Sequence, residues 1–152
     1  MWFPSPYPDE LFYSVLCRYY LSSGIKEHYL VKKQLFGTKA GVKMATLYPN
    51  ATVHAALLQL PDGVFDERDM ILRHTPFLYY TRMYPQQERE VLLDDLVQGR
   101  SKTPTHLWKT FPKDDYALRY CPSCVQEDTQ IYGEPYYHVE HQIPLSSVCV
   151  RH

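Results

Sequence analysis

Apolar residues recur every three or four positions along most of this chain, and prolines and glycines break the pattern into short pieces. That period gathers apolar side chains on one face of an amphipathic helix. Met1 to Pro8 holds three prolines and three aromatics and reads as an extended arm lying across a core. The first helical piece carries Phe12, Val15, Leu16, Tyr19 and Tyr20, with Asp9 as its candidate cap and Ser22-Ser23-Gly24 as its stop. A second spans Ile25 to Phe36, anchored by Tyr29, Leu30 and Leu35, and ends at Gly37. A third opens at Pro49-Asn50, presents Val53, Ala56, Leu57 and Leu60, and ends at Pro61. A fourth is capped by Asp66 and carries Met70, Ile71 and His74. After Thr75-Pro76, the aromatic run Phe77-Leu78-Tyr79-Tyr80 belongs to the core. A fifth runs from Pro85 to Gln98 with Val91, Leu92 and Leu96 inward. The pattern predicts a mainly α fold: a helical domain over residues 1–110, with a helix-turn-helix-like pair at 9–36.

The helical period then stops. Gly99 to Pro112 reads as a linker, and residues 111–152 as a small separate module with short hairpin strands near Tyr136 to Val139 and Leu145 to Cys149. Two residues separate Cys121 from Cys124, and two separate Cys149 from His152. Two such knuckles, brought together by the loop between them, give the four soft ligands of a tetrahedral Zn²⁺ site. His138 and His141 lie in the same loop as alternative ligands; His152 is preferred because its spacing from Cys149 mirrors the first knuckle. Three thiolates and one imidazole fill the tetrahedron, so the expected zinc is structural and supplies folding free energy.

Composition narrows the function further. At 152 residues with 45% hydrophobic and 22% charged positions, the chain has enough apolar side chains for a core. Its formal net charge of −1 announces no nucleic-acid partner by itself. Locally the balance differs. Lys26, Lys32, Lys33, Lys39 and Lys43 face only Glu27 between Ile25 and Ala45, which makes these lysines candidate phosphate contacts on double-stranded DNA. The fifth helix offers the opposite sign, with Glu88, Glu90, Asp94 and Asp95 against Arg89, a face suited to a basic protein partner. No catalytic constellation emerges: there is no phosphate-cradling glycine loop, no HExxH, and no HxE upstream of Cys-Pro-Ser-Cys. Asp94-Asp95 and Asp114-Asp115 are neighbours in sequence and point apart. Three of the four cysteines belong to the knuckles, which fits a reducing compartment better than a disulfide framework. With no membrane-length apolar run and no signal-peptide pattern, a cytoplasmic, non-enzymatic protein is expected. Because the sequence ends on a candidate ligand, we expect it to be part of a longer protein.

Three stretches carry a resemblance. Phe3 to Gly24 (FPSPYPDELFYSVLCRYYLSSG) resembles the opening of the TnsD/TniQ family, the target-selection proteins of bacterial cut-and-paste transposons. Ile71 to Met83 (ILRHTPFLYYTRM) is similar to that family's central stretch, and Arg119 to His152 to its cysteine-rich module. The family's zinc ligands fall on Cys121, Cys124, Cys149 and His152; Val150 stands where the family usually has proline, and Leu145-Ser146 replaces a commoner small pair. The resemblance implies an adaptor that binds target DNA, or in relatives an RNA-guided DNA-binding complex, and recruits an AAA+ ATPase regulator of the TnsC type, which brings in the transposase.

Overall fold

A computed structural model describes residues 2–37, 52–60, 63, 65–100, 117–143 and 147–152. Among the described residues seven helices form, most of them where the apolar period places them. They are Phe12–Ser23 (α1), His28–Phe36 (α2), Thr52–Leu57 (α3), Glu67–His74 (α4), Phe77–Tyr80 (α5), Gln86–Val97 (α6) and Pro122–Tyr132 (α7), with a short 3₁₀ turn at Glu140–Gln142. The chain is mainly α-helical. α1 packs on α2, α2 on α3, α3 on α4, and α4 on both α5 and α6. Phe12, Val15 and Leu16 of α1, Val31 and Leu35 of α2, and Ile71 of α4 are central to one shared core. Phe3 from the arm joins it, 5.5 Å from the Tyr19 ring and 5.7 Å from Phe65, while Trp2 stays exposed.

Several boundaries and faces differ from the sequence reading, each for a local reason. Asp9 does not cap α1; Leu11 holds the cap position, and Asp9 sits in a left-handed turn with φ 57°. Gly24 ends α1 at φ 67°, where a side chain would strain the backbone. In α2 the inward residues are Val31, Leu35 and Phe36, and Tyr29 and Leu30 are exposed. In α6, Leu93 and Leu96 face the core and Val91 is exposed. That rotation also presents the α6 acids to α4: Arg68 pairs with both Glu90 and Asp94, and Asp95 pairs with Arg100. Much of the acidic face is therefore neutralised within the chain.

Asp66 does cap α4. Its Oδ1 accepts from the Arg68 N–H at 2.8 Å and the Asp69 N–H at 3.3 Å, satisfying donors that have no partner inside the helix. Asp66→Ala should cost about 1 kcal/mol in chemical denaturation, and Asp66→Asn only a few tenths. Equal losses would show that the carboxylate charge, not the cap bond, matters. At the other end of α4, buried His74 donates Nδ1–H to the Glu10 carbonyl at 2.7 Å. Burial lowers its pKa, which keeps the ring neutral. Thr75 Oγ1 donates to the Ile71 carbonyl and accepts from the Phe77 N–H at 3.3 Å, turning the chain from α4 into α5.

No strand occurs among the described residues, so the hairpin expected in the C-terminal part is absent there. Tyr136 to Val139 finds its backbone partners elsewhere. Leu11 donates to the Tyr137 carbonyl at 2.7 Å, Val139 donates to the Asp9 carbonyl at 2.8 Å, and Glu10 and His138 form an isolated antiparallel bridge. Leu145 and Ser146, part of the second expected strand, lie outside the described residues, as do residues 101–116 and hence the expected boundary at 110–111.

Candidate metal centre

Helix α7 aims the first knuckle. Cys121 holds the N-cap position, Pro122 begins the helix where a missing N–H costs nothing, and Cys124 lies one turn in, buried. Cys149 and His152 approach from the far end of the sequence. His152 Nδ1 lies 3.6 Å from Cys121 Sγ, 3.5 Å from Cys124 Sγ and 3.7 Å from Cys149 Sγ, and the Cys124 and Cys149 sulfurs are 3.7 Å apart. A zinc ion with bonds of about 2.3 Å to sulfur and about 2.0–2.1 Å to nitrogen has tetrahedron edges of about 3.8 Å between sulfurs and about 3.6 Å between sulfur and nitrogen. The four separations just given match those edges. All four ligand atoms lie within 4.8 Å of one another, so the residues fit a single ion with no open position.

A second layer of contacts sets the charge of this group. Glu127, three residues after Cys124 on α7, accepts the other ring proton of His152 at 2.9 Å. That bond, helped by the Cys149 sulfur, pushes the His152 pKa up to about 9. The Arg151 backbone N–H, first, and then His141 and His152 hold the Cys149 thiol down at about 5. Burial, aided by the neighbouring sulfurs of Cys149 and Cys121, pushes Cys124 up to about 12. Three sulfurs this close cannot all ionise without a cation between them, so metal entry must displace the Cys124 proton. His141, the alternative ligand, places Nε2 3.7 Å from Cys124 Sγ and 3.5 Å from Cys149 Sγ. His141 thus stands beside two of the sulfurs, while the group of four that closes within 4.8 Å is completed by His152.

A family model for TniQ matches residues 1–152. The chain belongs to the TniQ family. It is also 27% identical to the transposon Tn7 transposition protein TnsD of Escherichia coli, over 99% of this chain and 30% of that protein. The chain thus spans about a third of the relative's length.

The other predicted contacts in this TniQ chain separate into two groups. Lys26 and Lys33 are exposed and Lys32 is half-buried, on or beside α2, while Lys39 and Lys43 lie outside the described residues. His138, the other alternative ligand, stands apart from the four-ligand cluster: it is buried, with Nε2 2.9 Å from Asp128 Oδ2. Sequence reasoning missed Glu127, Asp128 and Arg151. The first two follow from Cys124 by helical spacing once α7 is a helix, since three and four residues later return to the same face. No helix among the described residues is long and apolar enough to cross a membrane.

Proposed function

We propose that this TniQ chain takes part in selecting DNA target sites for transposition, binding double-stranded DNA and recruiting an AAA+ ATPase regulator of the TnsC type without catalysing a reaction itself. The observation that carries the reading is the family match over the whole chain, joined by its similarity to a Tn7 transposition protein. The Cys121, Cys124, Cys149 and His152 cluster holds Zn²⁺ as a structural ion; its spacing and its closed donor set support that metal. A protein acting on DNA in a bacterium works in the cytoplasm.

The DNA-facing element in this proposal is α2. Its inner side is buried through Val31, Leu35 and Phe36, and its outer side exposes Tyr29, Leu30 and Lys33, with Lys26 just before the helix. Lysines neutralise phosphates, and an exposed tyrosine beside them contributes contact area at low entropic cost. Binding of a DNA duplex by the 152-residue chain at several salt concentrations tests the assignment. Lys26→Ala with Lys33→Ala should weaken binding and reduce the slope of log K against log salt by about 0.9 for each phosphate no longer neutralised. An unchanged slope and affinity would remove α2 as the reader. Recruitment of the regulator would then stand on its own as an adaptor function.

A further inference from the structure

Arg151 lies between two ligands of the metal centre, and its side chain reaches away from it. Its Nε is 3.0 Å from Glu140 Oε1 and its Nη2 is 3.3 Å from His138 Nδ1, while its backbone N–H donates to Cys149 Sγ at 3.5 Å. Nε2 of the same His138 ring faces Asp128 Oδ2 at 2.9 Å. His138 and Asp128 are both buried, and Asp9 Oδ2 lies 3.5 Å from the same imidazole. Asp9, His138 and Glu140 together have the donor atoms of a small cation site. The Arg151 guanidinium meets two of the three, Glu140 and His138.

On the far side of this group stands the strained turn of the N-terminal arm. A non-glycine residue in the left-handed region costs on the order of 1 kcal/mol and persists only where its surroundings impose it. For Asp9 the surroundings are residues 137–140. Its carbonyl accepts from Val139, its carboxylate accepts from the Glu140 N–H at 3.3 Å, and two residues on Leu11 donates to Tyr137. Asp9 therefore holds its conformation against the segment that Arg151 holds from behind.

We propose that Arg151 links metal binding to the seating of the N-terminal arm: the metal fixes the Cys149 to His152 knuckle, the knuckle places the guanidinium, and the guanidinium holds the 137–140 segment on which Asp9 to Leu11 dock. The link rests on the metal reading given above. The arm runs directly into α1, which packs on the α2 helix proposed to face DNA, so metal occupancy becomes a condition for the correct start of that helix pair.

Amide hydrogen exchange at Leu11 and Val139, whose N–H groups make the two docking bonds, reads the link directly. Removing metal from the wild-type chain should speed exchange at both sites by about tenfold or more. Zinc-loaded Arg151→Ala should show the same acceleration while still binding one metal per chain and giving the Co²⁺ charge-transfer spectrum of an unchanged three-thiolate site. Arg151→Lys, which restores charge without the fork, should recover part of the protection. Glu140→Gln removes the ion pair without touching the knuckle and serves if Arg151→Ala does not fold; it too should speed both amides. Wild-type exchange rates in the metal-loaded variants overturn the link and leave the metal site standing. A chain that binds no metal overturns both.

Discussion

Replacing Cys124 with serine is expected to abolish metal binding and unfold residues 117–152, while α1 to α6 stay folded. Cys124 is the buried member of the cluster, and its sulfur lies within 3.7 Å of both Cys149 Sγ and His152 Nδ1. Serine keeps the shape but offers a neutral hydroxyl where the ion needs a thiolate. The segment has little else to replace the ion. Its large buried apolar side chains among the described residues are Tyr136 and Val139, each contributing about 1.5–3 kcal/mol. Structural zinc contributes about 10–16 kcal/mol in finger peptides, which makes it the largest single term available here. The helical core does not depend on the ion to the same degree. Phe12, Val15, Leu16 and Tyr19 of α1 pack with residues of α2, α3, α4 and α6. Metal analysis together with amide exchange across 117–143 decides the matter: no bound metal and lost protection in α7, with protection kept in α4 and α6, is the expected result. Chelation of the wild-type chain should reproduce it and added Zn²⁺ should reverse it. A serine variant that keeps α7 protected would show that packing alone folds the segment.

The parts of the molecule that are readable in the sequence are those whose physics is local. The α4 boundary follows from one capping carboxylate, and the gathering of Cys121, Cys124, Cys149 and His152 from two equal spacings. α7 is invisible to the apolar period because it lacks the signal on which helix reading depends. It buries only Cys124 and Asp128, so no apolar stripe runs along it; its hold on the fold comes through a cysteine of the Cys/His cluster and a polar network. The inward face of α6 is misread for the opposite reason. Leu92, Leu93, Leu96 and Val97 cover a broad apolar arc, and its rotation is settled across space by the seating of Leu93 and Leu96 in the core, with Arg68 of α4 pairing Glu90 and Asp94 at the surface. The docking of residues 136–140 on the N-terminal arm rests on backbone bonds and on buried Asp128 and His138, none of which has a sequence period.

Arg18→Met is expected to be the most damaging single substitution outside the metal centre, at about 3–5 kcal/mol. Glu10 is wholly buried, and its Oε2 accepts from Arg18 Nη1 at 2.9 Å and from the Tyr7 N–H at 2.9 Å. The same guanidinium reaches the Ser5 carbonyl at 3.2 Å and Glu134 at 2.7 Å, and covers the Tyr7 ring at 3.7 Å. One side chain thus joins the arm, α1 and the loop after α7. Methionine keeps the apolar stem but leaves the Glu10 charge buried without its cation. Burial already raises the Glu10 pKa, opposed by the Tyr7 N–H and Arg18; without Arg18 it must rise further. A carboxyl whose folded pKa exceeds its unfolded value binds the extra proton in the folded state. Stability is then lost as pH climbs from the unfolded value, about 4.3, through the folded one. The deficit of Arg18→Met relative to wild type should therefore be larger at pH 8 than at pH 5.5, measured by denaturant unfolding of both proteins at each pH. Adding Glu10→Gln should remove the pH dependence and recover a substantial part of the loss, because an amide keeps the bond from Tyr7 and carries no charge. A pH-independent deficit that the second substitution does not relieve would assign the effect to the missing bonds to Glu134 and Ser5 and the uncovered Tyr7 ring instead of the buried carboxylate.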